Sequence, residues 1–363
     1  MQDLPNLAKK LITFQSDKNH PEEIKKCFDC IVGELKGSSL KIKKFSKNNK
    51  PSLIAGPKLK KHYQFILNGH VDVVPADYKG AFEPKIKNGR LYGRGASDMK
   101  GPLAVLIELA KDLGKNYPQV DFALMITSDE EVGGFDGVRY LLEERGYSCD
   151  CAIIPDGGRN FSLMLAEKGV LHIRIEAKGK AAHGSRPWLG DNALDKLIKI
   201  YIRLRKKIPK TSKNNRWRPT LNLGKMEGGD ATNKVPDYAL MQLDFRYPNK
   251  EQRSQLLSLV KKESGREKWA RWKILVEGSP LINNPQNKYF KRVQKIVQRY
   301  GKRLKIKKEH GASDGRFFSK KGIPVIMFKP FCSESHINNE WIDLQTLKLY
   351  YQILKEFILS FQN

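Results

Sequence analysis

Between residues 63 and 155 the apolar positions alternate between two patterns. YQFILNG (63–69), DFALMITS (121–128) and CAIIP (151–155) are short apolar runs that read as buried strands. GPLAVLIELAKDLG (101–114) and FDGVRYLLEERG (135–146) carry helical spacing instead. Upstream, PEEIKKCFDCIVGELKG reads as a helix. The opening MQDLPNLAKKLITFQS, with Asp3 early and lysines inside its apolar pattern, reads as a short amphipathic helix rather than a secretion signal. Strands alternating with helices predict a mixed, mostly parallel sheet sandwiched by helices, an α/β domain.

The rhythm changes near residue 169. GVLHIRIEAKG has the period-2 alternation of a half-buried strand, and NALDKLIKIYIRLRKK places apolar residues at 194, 197, 198, 201 and 204 of a helix. Strands TLNLGKME and YALMQLDFRY, helix KEQRSQLLSLVKKE and strand WKILVEG follow. That order, β-α-β-β-α-β, is the ferredoxin-like split unit. After Pro280 the earlier rhythm returns, with helix NKYFKRVQKIVQRYG, a strand at 304–308, helix SDGRFFSKKG, strand IPVIMF and a closing helix from about 343. The expected architecture is an α/β domain of residues 1–168 and 280–363, interrupted by a smaller α+β domain of residues 169–279.

Length and charge refine this picture only slightly. A chain of 363 residues suits two domains. Its 40% hydrophobic content argues against disorder, and no stretch approaches a membrane span. The net charge is +28, from 67 Lys+Arg against 39 Asp+Glu, with dense runs at 41–50, 203–218 and 302–308. A field of this sign can attract nucleic acid, but no nucleic-acid module accompanies it, so a solvated surface is the favoured reading. A third reading is that the field draws small anionic substrates. Five cysteines are too few for a disulfide scaffold, which makes a cytoplasmic chain the expectation. Cys27 and Cys30 share one helix face and Cys149 and Cys151 form CDC; neither pair is expected to hold metal.

Open parallel sheets place ligands beyond the carboxyl ends of their strands, and the informative polar residues cluster there. NGHVDVVP follows the first of these strands with His70 and Asp72, and LYGRGASDMKGP puts Asp98 just before a helix. DEEVGG contributes Asp129, Glu130 and Glu131, PDGG contributes Asp156, and SESHINNEW contributes His336. Imidazoles with carboxylates and a spare glutamate suit a pair of zinc ions, one carboxylate bridging ions about 3.5–4 Å apart. Asp72, two residues beyond His70, is placed to orient the imidazole. His20, His62 and His172 read as ordinary surface or satisfied histidines.

Taken in order, GHVDVVP, GRGASDMKG, SDEEVGG, PDGG and SHINNEW strongly resemble the dinuclear zinc family of succinyl-diaminopimelate desuccinylase, acetylornithine deacetylase, aminoacylase, carboxypeptidase G and related dipeptidases. The resemblance covers nearly the whole chain, including GKAAHGSRPWLGDNA. It implies two zinc ions, with cobalt or manganese as substitutes: His70 and Asp156 on one, Glu131 and His336 on the other, Asp98 bridging. It further implies Glu130 as general base, Asp72 as partner of His70, and a cis Asp98–Met99 peptide. The inserted domain would dimerise the chain and bring His183 to the partner's site as an oxyanion donor. Asn233, Arg246 and the loop from Gly311 through Ser313 to Arg316 resemble substrate-binding positions, though Ser313 also reads as a helix cap.

The implied reaction is metal-assisted hydrolysis of a linear amide, with Glu130 moving the proton and the inserted domain gating the site. Three readings compete. One is a small anionic N-acyl amino acid, as in desuccinylation for lysine biosynthesis, against which Ala312 stands where a hydroxylated residue is common. The second is a di- or aminopeptidase substrate. The third, from another class, is a nucleic-acid-binding protein in which the charge matters more than the pocket.

Overall fold

The computed structural model describes residues 4–212, 214–266 and 268–362; Asp3 lies outside the described residues. The chain forms two units, one of residues 4–165, 282–308 and 313–362, the other of residues 166–281 and 309–312.

The first unit is built on a six-stranded sheet in the order Lys41–Lys47, Lys50–Gly56, Phe122–Thr127, His62–His70, Ser148–Ile153, Val325–Ile326. From Phe122–Thr127 onward the neighbours run parallel, and the first two strands join antiparallel. Phe122–Thr127 is buried at every position, as a strand covered on both faces must be. Helix Lys100–Asn116 packs Leu103, Leu106, Ile107 and Ala110 into the same core as Phe65, Leu67 and Leu124. Helices Leu4–Ile12, Pro21–Leu35, Lys288–Arg299 and Leu344–Leu359 add their apolar faces to this core. Asp343 caps the last of them by accepting a hydrogen bond from Thr346 N–H at 2.8 Å.

Several elements differ from the sequence expectation. The basic run at 41–50 is a strand whose hairpin turns at Asn48 and Asn49, with φ of 47° and 59°. Its lysines line an exposed edge, and such charge keeps an edge strand from pairing with another chain. The expected helix at 135–146 shrinks to a short turn that widens to π geometry at Tyr140–Glu144. IPVIMF pairs only through Val325–Ile326, while Lys305–Glu309 joins Ser162–Glu167 and Leu281–Ile282 in a separate three-stranded sheet. No helix among the described residues is long and apolar enough to cross a membrane.

The second unit has the order strand Gly169–Lys178, helix Ala193–Lys207, strands Thr220–Gly228 and Tyr238–Tyr247, helix Lys250–Gly265, strand Ala270–Gly278. The sheet order is Thr220–Gly228, Tyr238–Tyr247, Gly169–Lys178, Ala270–Gly278, antiparallel throughout, which is the split β-α-β-β-α-β topology. Ile173, Ile175, Met241, Leu243 and Phe245 pack against Leu197, Ile200 and Leu204. Asn192 and Asn249 cap the two helices, accepting from Leu194 N–H and Gln252 N–H at 2.9 Å each.

Candidate active site

In the first unit's parallel strands, His70 pairs in register with Thr127, and Leu67 with Ile153. The carboxyl ends of these strands therefore deliver His70, the 129–131 turn and Asp156 to one rim. His70 Nδ1 lies 2.9 Å from the backbone oxygen of Asp72, a contact that makes Nδ1 the donor, so that in the neutral ring Nε2 carries the lone pair. The carboxylate of Asp72 is farther away, 3.4 Å from Nδ1. It accepts instead from Glu131 N–H at 2.9 Å and Glu130 N–H at 3.3 Å. Asp72 thus orients the imidazole chiefly through its carbonyl and holds the acidic turn through its side chain.

His70 Nε2 faces Asp98 Oδ1 at 3.6 Å and Asp156 Oδ1 at 3.8 Å. The other oxygen of Asp98 lies 3.5 Å from His336 Nε2, which is itself 3.2 Å from Glu131 Oε1. Two donor groups, His70–Asp98–Asp156 and Asp98–Glu131–His336, therefore share Asp98. The Asp98–Met99 peptide is cis, as the resemblance implied.

The electrostatics show what this arrangement lacks. Burial and the nearby Asp98 push the Asp156 carboxyl up to about 6. Burial and Asp156 push Glu130 well above the usual carboxylate range, and burial raises Glu131. Burial alone would lower His70, but Asp156, Asp72 and Asp98 outweigh it and hold the imidazole well above its ordinary value. Burial opposes ionisation of Asp98, yet Lys329 and His70 hold it well below its ordinary value. His70 Nε2 and Asp98 Oδ1 are buried with no hydrogen-bond partner. Convergent oxygen and imidazole donors with excess negative charge, buried at His70 and Asp98 and exposed at His336, fit divalent cations.

Three further residues, Glu340, Lys329 and Asp314, shape this rim without having stood out in the sequence, and Asp129, at the head of DEEVGG, joins them. Glu340, inside the SHINNEW motif, and Lys329 both contact the 94–98 segment that carries Asp98. Asp129 accepts from Asp136 N–H at 2.7 Å and Gly137 N–H at 3.1 Å, and burial lifts its carboxyl to about 6. Asp314, in HGASDGRF, is buried, and burial with Asp129 raises it well above the ordinary value. The glycines of EEVGGFDG are the available signal: a Cβ at Gly134 would stand 1.9 Å from Asp314 Oδ1, and one at Gly137 2.2 Å from Asp129 Oδ1. Ser313 Oγ accepts from Gly315 N–H at 3.2 Å, while Asp314 takes the N-cap position of helix Gly315–Lys320.

His183, Asn233, Arg246 and Gly311 belong to the second unit. His183 is exposed on its loop, with Nδ1 2.8 Å from Ser185 Oγ and a β-bridge to Lys234, and Gly184 N–H donates to the Asn233 carbonyl at 2.6 Å. Asn233 and Gly311 are exposed. Arg246 Nε donates to Asp244 Oδ1 at 2.9 Å. It lines a cavity of about 350 Å³ with Lys168, Arg216, His310, Thr220, Ser212 and Thr211. Burial and Arg246 lower Lys168, and burial and Lys168 lower His310, so the cavity wall is a cluster of mutually repelling cations.

Residues 66–360 match the model of peptidase family M20/M25/M40. The chain is 29% identical over 316 residues to the succinyl-diaminopimelate desuccinylase of Marinobacter nauticus, covering 80% of this chain and 82% of that one. Its fold is similar to an M20 family metallo-carboxypeptidase from Sulfolobus solfataricus, at a TM-score of 0.82 and 18% identity over 99% of both chains. It is similar as well to a Bacillus subtilis protein described as a dinuclear metal-binding peptidase of the M20 family, at a TM-score of 0.71 and 17% identity over 99% and 97% of the two chains.

Proposed function

The chain belongs to peptidase family M20/M25/M40 and hydrolyses amide bonds, and on that footing we propose that it is a dinuclear zinc enzyme removing the acyl group from an N-acyl amino acid, most like a succinyl-diaminopimelate desuccinylase. The observation that carries the metal reading is the pair of buried ligand atoms without a hydrogen-bond partner, His70 Nε2 and Asp98 Oδ1, set among carboxylates. His70 and Asp156 would hold one zinc, Glu131 and His336 the other, and Asp98 both; cobalt or manganese would substitute. Bound there, the ions supply Lewis acidity toward a water and the amide carbonyl.

The proton work falls to the chain. Glu130, raised by burial and Asp156, is a stronger base than an ordinary carboxylate, suited to take a proton from water and pass it to the leaving amine. His183, contributed across a homodimer formed through domain 169–279, would donate to the oxyanion, with that domain acting as a lid over catalytic domain 1–168 and 280–363. Arg246 with Asn233, Gly311 and Ser313 would bind the substrate carboxylate; the cationic cavity around Arg246 supports an anionic ligand. A cytoplasmic role in lysine biosynthesis accompanies the desuccinylase reading.

A di- or aminopeptidase with the same metals is the second reading, against which Ala312 does not argue. A panel of N-succinyl, N-acetyl and dipeptide substrates separates the two. With added zinc, turnover should be fastest on the N-succinyl amino acid and abolished by EDTA. Fastest turnover on a dipeptide would favour the second reading, and turnover unaffected by EDTA would end both.

A further inference from the structure

Asp98 can serve both donor groups only if its carboxylate stays between them, with Oδ1 toward His70 and Oδ2 toward His336. The segment that carries it, 94–98, has no regular strand or helix to hold it. What holds it is Glu340, which is 0% exposed. Its Oε1 accepts from Asp98 N–H at 2.8 Å, Ser97 N–H at 3.0 Å and Ser97 Oγ at 2.8 Å. Its Oε2 accepts from Gly95 N–H at 3.1 Å and the Arg94 guanidinium at 3.0 Å. Lys329, also buried, closes the other side, donating to the Ser97 carbonyl at 3.1 Å with Nζ 3.8 Å from Asp98 Oδ1.

Every Glu340 contact named above is with a donor, so a carboxylate is the fitting side chain. A glutamine would turn an NH₂ group toward either the Oε1 donors or the Oε2 pair, leaving buried donors facing one another. Glu340 also lies four residues from His336, so the same loop that supplies one ligand fixes the backbone of the shared one. Metal ligands depend on such outer partners for orientation, and losing one costs about 10–100-fold in metal affinity.

We propose that Glu340 is a positioning residue of the metal centre: by clamping 94–98 it sets the aim of the Asp98 carboxylate, and with it the affinity of both cation positions. The proposal rests on the metal reading of the preceding section.

The test is zinc affinity by chelator competition, together with the visible absorption of the cobalt-substituted protein, for wild type, Glu340→Gln and Ser97→Ala. Glu340→Gln should weaken zinc binding at least about 10-fold, alter the cobalt spectrum, and lower kcat with KM within about twofold at saturating metal. Ser97→Ala removes a single contact and should shift affinity in the same direction by a smaller factor. It carries the test alone if Glu340→Gln does not fold. A role limited to folding would lower the melting temperature while leaving affinity and spectrum at wild-type values in the folded variants, and that result overturns the proposal. Wild-type protein that binds no zinc pair would instead sink the metal reading itself.

Discussion

At the rim of the parallel sheet, polar side chains drawn from separate stretches of the chain are buried and locked by backbone. Asp72 grips the N–H groups of Glu130 and Glu131, and Glu340 grips those of Gly95, Ser97 and Asp98. On the antiparallel sheet of the second unit, by contrast, Asn233 stands on an exposed loop and Arg246 faces an open cavity of cations. The first arrangement stores uncompensated negative charge in a low-dielectric setting, where a divalent cation gains most. The second stores positive charge in contact with solvent, where it can exchange anionic ligands. On the proposed function, charge of opposite sign, held to different degrees, would separate a place for chemistry from a place for selection.

The most severe test of that separation is Glu130→Gln. It should cut kcat by about 10²–10⁴-fold while zinc content stays at the wild-type value, checked by elemental analysis alongside turnover. A near-normal rate with metal intact would remove the base from the rim. Arg246→Ala should act on the other side of the comparison, raising KM for an N-succinyl substrate about 10–100-fold with metal content unchanged. A pure kcat loss there would mean that the second unit takes part in the chemistry.

The smallest effect expected is on stability. Asp129 and Asp156, pushed up to about 6, retain protons in the folded state that the unfolded chain releases near 4. Metal-free protein should therefore lose stability as pH rises from about 4 to above 6. The raised His70 acts in the same direction, since its contribution is full below about 6.5 and is lost as pH rises through its folded value. The depressed Asp98 changes stability only below its ordinary range, outside this window. Cations replace the protons, so zinc should widen its stabilisation by a few degrees between pH 4.5 and 7.5 in thermal denaturation. A metal-free protein that gains stability over this interval would contradict the charge account.

How much of this was legible beforehand depended on whether a residue's role was local. His70, Asp98, Glu131, Asp156 and His336 were visible as metal-type donors because each follows an apolar run or opens a helix, and strand ends are where such sheets bind ligands. Glu340 and Lys329 were not, because burying a charge becomes tolerable only through donors far away in sequence, such as Arg94 and Ser97. The strand at 41–47 was hidden for a related reason: its alternating lysines read as bulk charge, and the Asn48–Asn49 turn is a weaker sign than Asn-Gly. The carbonyl of Asp72, rather than its carboxylate, as the nearer partner of His70 could not have been read from residue type at all.

Crystals grown with zinc and examined by anomalous scattering at the zinc edge test the central claim most directly. The expected result is two ions per chain, one against His70 and Asp156, the other against Glu131 and His336, both touching Asp98. A single ion elsewhere, or none at this rim, would contradict it.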